Sequence, residues 1–271
     1  MHTIKRMKRG YTLYLFVKEK YGVLSEKKYT TIAGTLVFFL IMSLMPLAVW
    51  LTLIFGRLDV PLDRLLDQPV FQSVKKVVSF VREQAASASR GVSFVFIATS
   101  LYSVTSLFYH MRRSGEIVYE YSRIKSGWRV RVSALVFTFA VMLLSVLSVF
   151  VFALGAFLFS KLLSSWAATL LDYLLLLALS FFLVWLLNYY ICPYRVLFRE
   201  LVGGTAITIA AWAVALVGFS VYLKLGNTGK LYGALGVLIV FFLWLYVLMI
   251  CFVSGVIFNS EKIRARESKR L

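Results

Sequence analysis

Apolar runs alternate with short, mostly basic segments along the 271-residue chain. Six runs stand out, at residues 32–55, 92–109, 132–159, 167–190, 201–223 and 232–258. Each is close to or longer than the ~20 residues that a helix needs to cross a bilayer core. The third is the cleanest, with no charged residue from Val132 to Ser160. A charge at a helix centre costs ~2.5–3.5 kcal/mol on insertion scales, so a run this clean belongs in lipid. A soluble protein with buried core helices does not need six runs of this length. The expected fold class is all-α: a polytopic membrane protein with six transmembrane helices plus short interfacial amphipathic helices. The expected organisation is a cytoplasmic N-terminal segment with an in-plane helix (1–30), a six-span membrane domain (31–258) and a basic cytoplasmic tail (259–271).

Composition agrees. Hydrophobic residues make up 61% and charged residues 15%, against about 45–50% and 25% in soluble domains. Six spans leave no room for a separate soluble domain. No cleavable signal peptide is expected, because the first apolar run is too long for an h-region and no small-residue cleavage site follows it.

Charge sets the expected orientation. Of the Lys and Arg residues, 21 fall before span 1, after spans 2 and 4, and in the tail, while 9 fall in the other loops. The positive-inside rule then puts both termini in the cytoplasm. A net charge of +18 raises the question of nucleic acid, but topology and attraction to anionic lipid, at ~1 kcal/mol per basic residue near the surface, account for it. The expected partners are therefore membrane lipids, especially anionic lipid at the cytoplasmic face, and not nucleic acid. Self-association into a homo-oligomer is left open. Cys192 and Cys251 offer no disulfide framework, and His2 and His110 cannot make a usual zinc site. No metal and no cofactor is expected.

Two stretches between the spans read as amphipathic. Over 11–24, Tyr11, Tyr14, Phe16, Val17 and Tyr21 are interleaved with Lys18, Glu19 and Lys20, which suits a helix lying in the membrane plane. Over 70–83, Val70, Phe71, Val74, Val77, Val78 and Val81 form one apolar stripe at helical period. That helix is either interfacial or a lid over an outward-facing cavity. In span 5, Gly204, Thr208, Ala211, Ala215 and Gly218 give one small face, which lets helices approach closely in lipid. Gly233 and Gly236 open span 6. Pro46 removes a helix hydrogen bond and should kink span 1, either for structural reasons or beside a binding cavity.

No catalytic constellation is visible, so no enzyme activity is expected: there is no nucleophile–base pair, paired carboxylate or His-rich set in the spans. Asp172 reads as an interfacial acid, with a proton relay as the alternative. Span 2 is the most polar, with Thr99, Ser100, Ser103, Thr105, Ser106 and His110 running into Arg112 and Arg113. With Tyr102 and Tyr109, these residues could line an aqueous path ending at a basic mouth. The alternative is that the hydroxyls bond back to their own helix. Arg195 and Arg199, four apart before span 5, either meet lipid phosphate or anchor the chain at the surface. The candidate substrate-binding set is Ser43, Pro46, Ser103, Ser106, His110, Arg112, Arg113, Arg195, Arg199, Tyr232, Gly233, Gly236 and Asn259, with Ser43, Ser103, Ser106 and Tyr232 expected to line a cavity.

The segment Tyr232-Gly233-Ala234-Leu235-Gly236, then Leu243-Trp244-Leu245-Tyr246, then Gly255 and Asn259 resembles the last span of the YihY/BrkB membrane family, which has also carried the label ribonuclease BN. Span 1 is similar too, in Ala33, Phe38, Phe39 and Ser43-Leu44-Met45-Pro46-Leu47. The basic loop after span 2 and the Pro193–Arg199 segment fit in position. The resemblance implies a multi-pass protein of the bacterial plasma membrane. Some members of that family are linked to the movement of lipid or lipid-linked glycan precursors, and the resemblance by itself implies no particular activity. The family commonly has a glutamate two residues after the late glycine of span 6, where this chain has Ile257. A nuclease needs metal-binding carboxylates or acid–base pairs facing water, and the sequence supplies no such set. The expected function is transport or flipping of an amphiphilic anionic substrate. A non-transporting scaffold of envelope assembly is the alternative, and a membrane-embedded enzyme comes third.

Overall fold

Every apolar run is helical, and among the described residues there is no strand. The long helices are α1 (Tyr29–Arg57), α2 (Ser93–Val118), α3 (Gly127–Leu162), α4 (Ser165–Ile191), α5 (Phe198–Leu225) and α6 (Thr228–Ser268). The computed structural model describes residues 22, 24–57, 93–121, 126–162, 165–225 and 228–269. The expected outer-loop helix over 70–83 lies outside them, as does the in-plane helix over 11–24 save residues 22 and 24.

Four helices are long and apolar enough to cross a membrane among the described residues: Gly127–Leu162, Trp166–Ile191, Phe198–Tyr222 and Ile239–Ser268. Tyr29–Ser43 is a shorter apolar helix. Among the described residues, four of the six predicted spans meet that measure. The reason α4 must meet lipid is its burial. Only 6% of its apolar stretch is buried within the protein, and Leu170, Leu174, Leu177 and Phe182 point outward. Soluble proteins rarely expose apolar patches beyond a few hundred Å².

The chain divides into two compact units. One comprises Phe38–Arg113 and Arg123–Ile191. Its centre is aromatic: Phe137 stacks on Tyr190 with ring centroids 3.8 Å apart, and Phe108 meets both rings edge-on. Val104, Val130, Ala134 and Val184 are buried in the same unit. The hydroxyls of Thr105, Thr138 and Ser145 donate to carbonyls one turn back on their own helices, which satisfies them without water. α1 runs through Pro46 as continuous helix.

The other unit comprises Met1–Val37, Ser114–Ser122 and Cys192–Leu271. Its core is the crossing of α5 and α6. Gly204 and Gly255 bring the two backbones together, and the side chains of Thr208 and Asn259 close the contact. Asn259 is fully buried. Its Oδ1 accepts from the Gly204 N–H at 2.8 Å and its Nδ2 donates to the Leu201 carbonyl at 3.2 Å. Further along, Trp212 Nε1 donates to the Leu248 carbonyl at 2.8 Å. On the expected small face of span 5, Gly204 and Thr208 make this contact, while Gly218 meets no described residue within 4 Å.

Candidate functional site

In the first unit, the polar groups gather on α2 and the start of α3. Tyr102, Ser106 and Tyr109 lie four and then three residues apart, on one helical face. Arg131 of α3 lies along that face. Its Nη1 donates to Ser106 Oγ at 3.1 Å and its Nη2 to the Tyr102 hydroxyl at 3.2 Å. Its guanidinium sits 4.6 Å from the centroids of both the Tyr102 and Tyr109 rings, within cation–π range. Arg113 reaches the same Tyr109 ring at 5.6 Å and donates to its hydroxyl at 3.5 Å. His110 stacks on Phe39 with centroids 3.7 Å apart. Arg112 turns elsewhere: its Nη1 donates to the Tyr190 carbonyl at 2.5 Å, near the end of α4.

In the second unit, carboxylates organise the polar end. α2 stops in a Schellman-type turn: Tyr121 N–H donates to the Glu116 carbonyl, Glu120 N–H to the Ile117 carbonyl, and Glu120 takes φ 49°. That turn aims the Glu120 carboxylate at Lys27 and Arg264, which both pair with it. The hydrogen bond from Lys27 holds its carboxyl below the ordinary carboxylate range; burial opposes this, and the charges of Lys27 and Arg264 with the Arg264 hydrogen bond add to it. Glu200 caps α5 by accepting from the Leu197 N–H at 2.8 Å, half of a capping box. Its other oxygen pairs with Arg266, which also donates to the Arg195 carbonyl at 3.0 Å. Tyr194 meets Tyr119 and Tyr121 edge-on.

Because the Glu120 carboxyl is depressed, its contribution is complete above the ordinary carboxylate range and is lost as pH falls through the depressed value. Glu120→Gln is therefore expected to speed hydrogen exchange of residues 262–268 at neutral pH. The increase should be about a few-fold, since the half-exposed Glu120 carboxylate is screened. The difference from wild type should vanish in acid. Equal exchange at neutral pH would remove Glu120 from this role.

The candidate residues are distributed as follows. Ser106, His110 and Arg113 belong to the α2 cluster or its edge, while Arg112 turns from it to the end of α4. Ser103 is half-buried on the same helix. Ser43 is buried and its hydroxyl bonds the Leu40 carbonyl at 2.9 Å; Pro46 is half-buried one turn on. Arg195 and Arg199 are exposed. Asn259 joins α5 to α6. Tyr232, Gly233 and Gly236 lie in the first turns of α6, and their side-chain surroundings fall outside the described residues. Ile257 is packed in the core at 1% exposure. Within the first unit, an apolar void of about 10 Å³ is lined by Leu101, Val104, Thr138, Phe139 and Met142, room for about one water.

Sequence reasoning counted Arg131 only as a topological charge and passed over Glu120. The 102/106/109 spacing was a usable signal for the face, but nothing local pointed to the arginine that covers it. Among the described residues, no group of three or more His, Cys, Asp and Glu side chains could hold a metal ion.

Helices of this length and apolarity define a multi-pass α-helical membrane protein. The family described as Virulence factor BrkB matches residues 21–270, and the chain belongs to it. No curated protein and no solved structure matches the chain.

Proposed function

We propose that the chain is an inner-membrane transporter or flippase of an amphiphilic anionic substrate, lipid or lipid-linked. In this reading it has six spans, keeps both termini in the cytoplasm and is not an enzyme. One observation carries the proposal. α2 bears a polar and aromatic face that ends among arginines, in a chain whose α3–α6 are apolar enough to sit in lipid. Polar side chains in spans are costly and usually mark a pathway. The exposed Arg195 and Arg199 suit a first encounter with anionic headgroups, because a planar fork of donors meets several oxygens at once.

The test is flux of a labelled anionic lipid in proteoliposomes. Arg113→Gln and Arg199→Gln are each expected to cut flux, by about tenfold where one charged hydrogen bond is lost. Lysine should restore only part, since it keeps the charge and loses the fork. Wild-type flux no faster than in empty vesicles, across a panel of headgroups, would hand the chain to the scaffold reading.

A further inference from the structure

Arg131 is a cation whose partners are all neutral. Its hydrogen bonds go to Ser106 Oγ and the Tyr102 hydroxyl, and its faces lie on two tyrosine rings. Among the described residues no carboxylate pairs with it. The sequence explains why. No Asp or Glu occurs between Ser93 and Gly115 or between Ser126 and Leu162, while Arg112, Arg113, Arg129 and Arg131 all do. A half-buried guanidinium cannot shed its proton, so its charge stays. Arg113 brings a second positive charge to the same Tyr109 ring.

The donors are also set for an anion. A guanidinium has five N–H groups, of which two are committed here. Ser106 gives its own proton to the Tyr102 carbonyl at 2.7 Å, so its lone pair is turned to Arg131. The Tyr102 hydroxyl accepts from Arg131 and keeps its proton to donate, and Tyr102 is 63% exposed. Both rings hold the guanidinium in one place before any ligand arrives, which lowers the entropic cost of binding. Depth argues for a lipid. Arg131 is the last charge before the uncharged stretch that starts at Val132, which is where a headgroup phosphate lies. Tyrosines with one apolar and one wet end are at home there.

We infer that Arg131, Tyr102 and Tyr109, with Arg113 beside them, bind the phosphate of an anionic lipid headgroup. This rests on the membrane placement and substrate class proposed above, and names where that substrate docks.

The test is binding, measured apart from flux. The full chain in detergent is titrated with phosphatidylglycerol or phosphatidylcholine, and bound lipid is counted by native mass spectrometry. Phosphatidylglycerol is expected to bind about tenfold more tightly than phosphatidylcholine, and Arg131→Gln to remove most of that preference. Arg131→Lys should keep part of it. Tyr102→Phe, which retains the ring and loses only the hydroxyl, should weaken it less. Unchanged preference in Arg131→Gln overturns the site. If that variant does not fold, unchanged preference in both Arg131→Lys and Tyr102→Phe overturns it. A second arm adds inorganic phosphate and glycerol phosphate. Displacement of the lipid by either at equal concentration would assign the site to a soluble phosphate and overturn the lipid source. Arg131-dependent binding with no flux would sink the transport reading and leave the site standing. Flux untouched by Arg131→Gln, with equal binding, would do the reverse.

Discussion

Gly255→Leu is expected to separate α5 from α6 and leave little folded protein. A Cβ at Gly255 would run into Thr208 Oγ1 and the Gly204 carbonyl, and a Cβ at Gly204 would run into the Gly255 carbonyl and the Asn259 amide. Two of these obstacles are backbone, which cannot rotate aside. Overpacking a well-filled core costs about 1–3 kcal/mol, and more when the backbone itself must move, so about 3 kcal/mol or more is expected here. The same displacement would break both Asn259 hydrogen bonds. Interhelical bonds of this kind in membranes average about 0.6 kcal/mol, so packing is the larger loss. Gly218→Leu on the same helix is the control, because a Cβ there meets none of the described residues within 4 Å. Thermal unfolding of the two purified variants in detergent decides the matter. A Gly255→Leu protein that melts with Gly218→Leu and wild type would refute this account of the α5–α6 crossing.

The two glycines also show what the sequence could convey. Helix positions were legible because length and the absence of charge are local properties: the run at 132–159 lies wholly inside α3, and that at 201–223 inside α5. The small face of α5 was legible as a periodicity, but periodicity does not say how far a contact extends. The contact uses Gly204 and Thr208, whereas Gly218 meets no described residue within 4 Å even though its neighbour Phe219 stacks on Trp244 of α6. Asn259 entered the candidate set through its place in a family motif, while its partners, Gly204 and Leu201, are more than fifty residues away. Arg131 was hidden for a similar reason. Its bond to Ser106 spans 25 residues, so it depends on how α2 and α3 meet, which neither helix encodes alone. The choice between a polar path and self-bonded hydroxyls on α2 has a mixed outcome. Thr105 bonds only its own helix, at the Leu101 and Tyr102 carbonyls, whereas Ser106 does so and also accepts from Arg131.

Arg112 and Arg113 are adjacent in sequence and are expected to fail in different ways. Arg112 Nη1 donates to the Tyr190 carbonyl in the last turn of α4, where helix carbonyls have no partner of their own. Its guanidinium also lies 6.0 Å from the Tyr190 ring, the ring that stacks on Phe137 and meets Phe108. Removing it leaves a buried carbonyl unpaired and loosens the aromatic centre of the unit. Hydrogen bonds to charged groups are worth about 1.5–3 kcal/mol, so Arg112→Gln is expected to lose stability in that range. Lysine should recover part of it, since one donor can still reach the carbonyl. Arg113 instead faces Tyr109 at the half-exposed edge of the polar cluster, and Arg113→Gln is expected to melt close to wild type while losing anionic-lipid flux. Hydrogen exchange at the end of α4 gives the sharper reading: it should quicken in Arg112→Gln and stay unchanged in Arg113→Gln. Equal protection in both variants would mean that Arg112 does not cap α4. A flux defect in Arg112→Gln alone therefore says nothing about headgroup binding, because collapse of the Phe108–Phe137–Tyr190 cluster beneath α2 would produce it as well.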